Sequence, residues 1–350
     1  MVRSDGREVK VEGAREIRRL TKTSSRHRRQ LSGAIEPLVS MLGFDDYNCN
    51  ESALLALLNL AVKDERFEQD SDCGFGALGP LIDFLQSNNS NLQEYATAAI
   101  LTLSASATNK PTITAAGAVP LLVNILRDGS SQAKDDSVRA LYNLSTHSNN
   151  LQIILSVQPI PPIISLLKTR KKSSKIAEKC SALLESLLNF DEARTTLTSV
   201  EGGVLTVVEV LEDGSLQSRE HAVGALLTMC ESDRHRYREA ILREGAIPGL
   251  LELTVQGTPK SQTKARMLLQ LLRESHYTRS EFQVDTLENI VSNIVSQIDG
   301  EERCGKAKKM LAEMVQGSME RSLRHLQQRA LVCTPTDLPL TNCTSEVPLK

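Results

Sequence analysis

The stretch "GAVPLLVNILRDGSSQAKDDSVRALYNLSTHSNNLQIILSVQ", residues 117–158, consists of apolar segments separated by polar breakers. In "PLLVNIL" and "VRALYNL" apolar residues recur three and four positions apart, which is the periodicity of an amphipathic helix. Gly117 suits the end of the preceding helix, because glycine adopts a left-handed backbone at little cost. Pro120 falls in the first turn of the next helix, where its missing N–H is not needed. The stretch therefore predicts a unit of short helices joined by tight turns.

The same unit recurs along most of the chain. Variants of its first segment begin at intervals of 41 to 43 residues, at Gly33, Gly76, Gly117, Pro159, Gly202 and Gly245. A variant of "VRALYNLS" follows each of them after roughly 20 residues. A period of about 40–47 residues made of helical segments is typical of α-solenoids. No segment of useful length alternates as a strand would, so the predicted fold class is all-α.

Composition and charge exclude several classes of function. The 350 residues carry 41 Lys+Arg against 43 Asp+Glu, and this balance gives no general attraction to nucleic acid. No apolar run reaches the roughly 20 residues of a membrane helix. The seven cysteines are scattered without a CxxC pair, which favours reduced thiols over a metal site. We expect a protein of the cytoplasm, the nucleus or both, without cofactor, metal or stable membrane insertion.

The repeated segments resemble those of a known repeat family. "REIRRLTK", "GAVPLLVNIL", "ALYNLS" and "REGAIPGLLEL" are similar to the armadillo (ARM) repeats of plant ARM proteins and of plant U-box ubiquitin ligases. This resemblance implies a right-handed α-α superhelix, the armadillo-repeat solenoid. Its six repeats would span 33–75, 76–116, 117–158, 159–201, 202–244 and 245–276.

The segments that flank the six repeats are expected to differ from them. Residues 1–32 form a basic segment with a truncated capping repeat, residues 277–332 a degenerate repeat with a capping helix, and residues 333–350 a disordered tail. In the ligases that the chain resembles, a U-box precedes the repeats. Only 13 residues precede the first recognisable helix at 14–22, too few for such a module. We therefore expect that ligase activity does not extend to this chain, and no motif predicts a catalytic residue.

The candidate site is a row of polar residues on the second helix of each unit. At about 100° per residue, Asn143 lies about 110° from the centre of the apolar face of its helix, beside a solvent-facing stripe. The resemblance implies that this helix lines the concave surface of the solenoid and that its Asn hydrogen-bonds the main chain of an extended partner. The matching residues of the six repeats are Asn59, Thr102, Asn143, Ser186, Thr228 and Gln270. The register of the fourth repeat stays open by one residue, because "KTRKKSSK" lengthens its loop.

The residues around this row indicate the kind of partner. Armadillo proteins of the nuclear-import type carry Trp one turn before the Asn, whereas this chain has no Trp. We therefore do not expect it to bind basic import signals. Arg139 and Arg266 lie one turn before the row, and guanidinium groups favour carboxylates and phosphates. The sequence predicts protein–protein binding along the concave groove, with an extended or helical partner segment that is acidic or phosphorylated, and no nucleic acid.

Several alternatives stay open at this stage. The polar row can hold one repeat against the next without binding any ligand. The chain can be an adaptor or scaffold linked to ubiquitin signalling, or the substrate-recruiting subunit of a ubiquitin ligase whose catalytic chain is separate. The basic clusters "SSRHRRQL" at 24–31 and "KTRKKSSK" at 168–175 fit nuclear localisation signals as well as solvated loops.

Overall fold

The structure is a computed structural model that describes residue 2 and residues 6–61 and 71–273, the side chains of 71–75 excepted. All of these residues belong to one compact unit, Met1–Ser275. The predictions for residues 277–332 and 333–350 therefore lie outside the described residues.

Helices account for every regular element in the described ranges, which confirms the predicted all-α class. In chain order they are α1 (Arg7–Thr21), α2 (Ser25–Gln30), a 3-10 turn (Ser32–Ala34), α3 (Ile35–Met41), α4 (Tyr47–Ala61), α5 (Ser71–Leu85), α6 (Ser90–Leu103), α7 (Asn109–Ala115), α8 (Ala118–Asp128), α9 (Ser131–Ser145), α10 (Ser148–Ser156), α11 (Ile160–Thr169), α12 (Lys175–Leu187), α13 (Asp191–Ser199), α14 (Gly203–Asp213), α15 (Leu216–Ser232), α16 (Arg234–Arg243), α17 (Ile247–Gln256) and α18 (Pro259–Arg273).

The helices of successive units stack in two rows. The inner row consists of α1, α4, α6, α9, α12, α15 and α18, and each of its helices packs along the next. The outer row consists of α3, α5, α8, α11, α14 and α17, whose neighbours touch over a shorter length. The inner helices contact one another more extensively than the outer helices do, which fits the concave side that the resemblance implies. The second helix of each unit thus lines the inner face.

Backbone geometry at the repeat boundaries explains where the outer helices begin. Gly117, Gly202 and Gly245 have positive φ angles of 82°, 64° and 78°, as the glycine rule predicts. Pro159, the first residue of the predicted fourth repeat, departs from this pattern, since the proline ring fixes φ near −65°. Gln158 takes the left-handed conformation there instead, with φ 54°. Gly76 also departs from the pattern, because it lies inside α5.

Side chains from the polar breakers cap the inner helices. Ser130, Ser174 and Ser215 each accept a hydrogen bond from the backbone N–H three residues later. Asn89 accepts two such bonds at the start of α6. Each cap satisfies a backbone donor that the first helical turn leaves unpaired. The segments "RDGSSQ" and "EDGSLQ" therefore fix the points at which α9 and α15 begin.

The third helix of a unit is tied to the end of the inner helix by a buried polar side chain. Asn109 donates from Nδ2 to the carbonyl of Leu103, and Asn150 donates in the same way to Leu144. In the fourth unit Arg194 takes this place and donates to the carbonyl of Leu188. These bonds satisfy carbonyl groups at the ends of α6, α9 and α12. The apolar core itself runs without interruption through the stack.

Three cysteines of the described ranges, Cys49, Cys180 and Cys230, are buried free thiols. Burial raises the pKa of Cys230 to about 11 and that of Cys180 well above its usual range. In the same ranges no single helix is long and apolar enough to cross a membrane, and α10 and α11 reach that length only as a pair bent by 87°.

Candidate partner-binding face

The two asparagines of the predicted row hold neighbouring repeats together. Asn143 is half-buried near the end of α9, and its Nδ2 donates to Oγ of Ser104 at 3.1 Å, at the end of α6. Asn59 donates from Nδ2 to the carbonyl of Arg18 in α1 at 3.0 Å. Both bonds run to the preceding inner helix. This geometry favours the interpretation in which the row keeps the superhelix in register.

The hydroxyl groups of the row bond within their own helices. Thr102 donates to the carbonyl of Ala98 at 2.9 Å, and Ser186 donates to Ala182 at 3.1 Å. Thr228 is half-buried on α15. A hydroxyl that donates to the carbonyl four residues earlier keeps oxygen lone pairs that can accept. The inner face therefore presents a line of polar atoms. The hydrogen bonds of these atoms run within the solenoid itself.

In the sixth repeat, counting from the helix caps gives a register that differs by one residue from the predicted one. Asn143 and Thr228 lie thirteen residues after the caps Ser130 and Ser215. In α18 the cap is Thr258, which accepts from the N–H of Ser261 at 3.1 Å. The same count ends at Leu271, and the turn before it carries Met267. Gln270 and Arg266 are both exposed and each lies one residue before these equivalents. The caps Ser215 and Thr258 are 43 residues apart, whereas the predicted pair Thr228 and Gln270 is 42 residues apart. Alignment of the apolar residues alone does not reveal this difference.

The inner face of the first three repeats has an apolar centre. Four half-buried residues of α4 and α6 line it, namely Leu55, Leu58, Ala98 and Leu101. Leu58 and Thr102 also border a small recess that is partly open to solvent. The other walls of this recess are apolar side chains of α4, α5 and α6. This part of the face can receive apolar side chains of a partner.

Arg139 is the charged residue at the edge of this apolar centre. Its guanidinium contacts a carboxylate oxygen of Asp136 at 3.1 Å, and its side chain is 48% exposed. The neighbouring Tyr142 ring carries the ammonium of Lys179 at 4.1 Å from its centroid. The guanidinium has five N–H donors, so the bond to Asp136 leaves donors for a second acceptor. Arg139 thus presents a half-exposed guanidinium on the inner helix α9.

The fourth to sixth repeats are connected by charged side chains. Glu185 on α12 contacts Nδ1 of His221 on α15 at 2.6 Å and Nζ of Lys264 on α18 at 2.6 Å. Burial by itself raises the pKa of the Glu185 carboxyl. The hydrogen bonds and positive charges of the two partners outweigh this effect and hold the pKa below its ordinary value. Sequence analysis missed this network, since its members are 36 and 79 residues apart.

A second feature missed by sequence analysis is an acidic row that joins the repeats. Glu94 accepts from the hydroxyl of Ser130, the cap of the next inner helix, at 2.7 Å. Glu220 accepts in the same way from Thr258. Each of these carboxylates lies five residues after its own cap. The recurrence of an acidic residue at that position was the available signal, and it marks a contact between repeats rather than a ligand site.

In the ranges that the structure describes, no three His, Cys, Asp or Glu side chains converge on a point where a metal ion would be held.

Comparison with known proteins identifies the family. The model of the plant U-box protein ARM repeat region matches residues 2–291. U-box domain-containing protein 45 of Arabidopsis thaliana is 30% identical over 123 residues, covering 35% of this chain and 16% of that protein. U-box domain-containing protein 14 of the same plant is 32% identical over 101 residues, covering 29% and 16%. The chain thus matches about a sixth of the length of these curated relatives.

Solved structures show the same fold. The designed armadillo repeat protein YIII(Dq)4CqI is 23% identical with a TM-score of 0.58, covering 68% of this chain and 99% of the other. The designed armadillo repeat protein YIII(Dq.V1)4CPAF, solved in complex with peptide (KR)4, is 22% identical with a TM-score of 0.56 and the same coverage. The predicted armadillo-repeat solenoid is therefore confirmed. The chain belongs to the family of the plant U-box protein ARM repeat region.

Proposed function

We propose that the protein is a non-catalytic scaffold that binds a segment of a protein partner along the inner face of the solenoid. The observation that carries this proposal is the half-buried apolar centre on α4 and α6, bordered by the half-exposed Arg139. Solenoids of this kind offer an extended concave surface for such binding. The complex of a designed armadillo repeat protein with a peptide supports the same use of the fold.

The partner segment that fits this face combines apolar and acidic residues. Its apolar side chains would contact Leu58 and the recess beside it, and a carboxylate or phosphate would reach the guanidinium of Arg139. Arg15 and Arg18 on α1 are exposed at the other end of the apolar centre and extend the attraction for negative charge. The partner is therefore an extended or helical segment that is acidic or phosphorylated.

The family suggests a setting in ubiquitin signalling. Relatives of this chain are named as U-box proteins, and an ARM scaffold in that setting would recruit or compete for a substrate. The second candidate is a substrate-recruiting subunit that acts with a separate catalytic chain. Addition of the purified protein to its co-purified ligase separates the two, because only a subunit increases ubiquitin transfer to the captured substrate. Both roles place the protein in the cytoplasm, the nucleus or both.

The binding proposal is tested by capture of partners from plant tissue with matched variants. The inner-face variant Leu58→Glu/Arg139→Glu introduces negative charge where the partner is expected, so it should lose the specific partners of the wild type. The control is Arg127→Glu, since Arg127 is exposed on the outer helix α8. Retention of the same partners by the inner-face variant, or equal loss in the control, contradicts binding along the inner face. Circular dichroism of both variants shows whether the solenoid stays folded.

A further inference from the structure

The inner face of the last three described repeats contains a carboxylate that is already occupied by a cation from the protein itself. Lys264 reaches from α18 across α15 to Glu185 on α12, where its Nζ lies 2.6 Å from Oε1. His221 of α15 contacts the other oxygen, Oε2, at 2.6 Å. The side chains of Glu185 and Lys264 keep 24% and 29% exposure. The ion pair is therefore accessible from the groove rather than sealed in the core.

Gly224 provides the space in which this ion pair lies. A Cβ atom at position 224 would be 1.8 Å from Oε1 of Glu185 and 2.7 Å from Nζ of Lys264. The preceding repeats have Leu55, Ala98 and Arg139 at comparable positions of their inner helices. Only glycine leaves room there for a carboxylate and an ammonium group. The pair thus lies across the groove at a point where α15 has no side chain.

A carboxylate held in this way is a site for a primary ammonium or guanidinium group. Lys264 can be exchanged, because its long flexible stem regains rotamer entropy and its ammonium group regains water on release. An incoming Lys or Arg side chain that replaced it would leave Glu185 paired, and the released Lys264 would regain water and motion. Exchange of one cation for another avoids the larger cost of an unpaired, half-buried carboxylate.

We propose that Glu185 above Gly224 is a subsite for a Lys or Arg side chain of the bound partner segment, and that Lys264 occupies it in the free protein and is displaced on binding. The inference rests on the proposed function, since it assumes a segment on the inner face. It adds a basic residue to the acidic segment that Arg139 favours. Adjacent inner helices are about 8–10 Å apart, so the two charged residues of an extended segment are about three positions apart.

The test uses Lys264→Met, which removes the competing ammonium and keeps an unbranched side chain. The probe is a fluorescent extended peptide in which a Glu and a Lys stand three positions apart, and its binding is followed by anisotropy at low salt. Since a partly exposed ion pair contributes about 1 kcal/mol, we expect Lys264→Met to bind the peptide about five-fold more tightly. The matched control is Lys260→Met, because Lys260 is exposed on the same helix and its replacement changes net charge equally. The control should bind like the wild type.

A second variant assigns the gain to the carboxylate. Glu185→Gln in the Lys264→Met background keeps the shape of the side chain and should abolish the five-fold gain. An unchanged affinity in Lys264→Met, an equal gain in Lys260→Met, or a gain that survives Glu185→Gln each overturns the subsite. If these results overturn it while Leu58→Glu/Arg139→Glu still loses the native partner, the proposed function stands and the subsite alone fails. Thermal melting confirms that all variants are folded.

Discussion

The two halves of the inner face connect their repeats in different ways. In repeats one to three, neutral side chains such as Asn59 and Asn143 bond to the preceding inner helix. In repeats four to six, the carboxylate of Glu185 connects three helices through its contacts with His221 and Lys264. The neutral contacts leave the centre of the face open and apolar, whereas the charged contact crosses it. The same row of helices therefore separates a surface ready for a partner from one that is already occupied.

The two kinds of contact also differ in energy and in their response to conditions. A hydrogen bond between neutral groups contributes about 0.5–1.5 kcal/mol, and one to a charged group about 1.5–3 kcal/mol. Charged contacts near the surface weaken with added salt and with loss of charge, while neutral ones do not. The C-terminal half should therefore be the part of the solenoid whose stability depends on solution conditions.

The largest effect is expected for Glu185→Ala. This change removes both charge-assisted contacts at once and leaves His221 and Lys264 without their shared acceptor. We expect a loss of about 2 kcal/mol in the free energy of unfolding, measured by urea denaturation. The control is Glu231→Ala, which removes an exposed carboxylate from α15. A loss no larger than that of the control would show that the charged half is not held together by this carboxylate.

The next effect concerns a contact that occurs in both halves, in which a carboxylate accepts a hydrogen bond from the hydroxyl that caps the next inner helix. Ser130→Ala removes the cap of α9 and the bond to Glu94 together, so we expect a loss of about 1.5 kcal/mol. Glu94→Gln keeps the cap and should cost less. Ser156→Ala is the control, since this hydroxyl donates to Ile153 within its own helix. Equal losses for Ser130→Ala and Glu94→Gln would mean that the cap contributes nothing.

A smaller effect is expected in the neutral half. Asn143→Ala removes the bond to Ser104 and should lower the free energy of unfolding by about 1 kcal/mol. Asn124→Ala is the control because Asn124 is exposed on the outer helix α8, and it should change stability by less than about 0.5 kcal/mol. Capture of partners by Asn143→Ala decides whether Asn143 also contacts a partner. A loss of partner without a loss of stability would mean that Asn143 contacts the partner rather than holding the repeats together.

The sequence was sufficient for those features whose causes are local. The repeat period, the left-handed Gly117 and the wheel position of Asn143 follow from residues within one unit, and local rules apply to them directly. The interaction partner of Asn143 did not follow, because Ser104 belongs to the preceding repeat. Which residue of one helix contacts which residue of the next depends on loop lengths. A change of one residue in the spacing between caps is enough to change the contacting residue.

The dependence of contacts on neighbouring repeats also explains what sequence analysis missed at the candidate site. Nothing in the sequence around Gly224 shows that Glu185 fills the space above it. Gln270 and Arg266 were assigned from matching letters, whereas the cap Thr258 sets the register of α18. Contacts over 36 to 79 residues arise from the stacking of successive units, so a single unit cannot predict them.

The smallest effect is a difference in pH dependence between the two halves. The pKa of Glu185 is lowered in the folded protein, so its contribution to stability is complete above the unfolded pKa of about 4.3 and is lost as the pH falls through the folded value. The difference in unfolding free energy between wild type and Glu185→Gln should therefore shrink as the pH falls below about pH 4. The corresponding difference for Asn143→Ala should stay flat, because this change removes no titratable group. A flat curve for Glu185→Gln as well would remove the electrostatic distinction between the two halves.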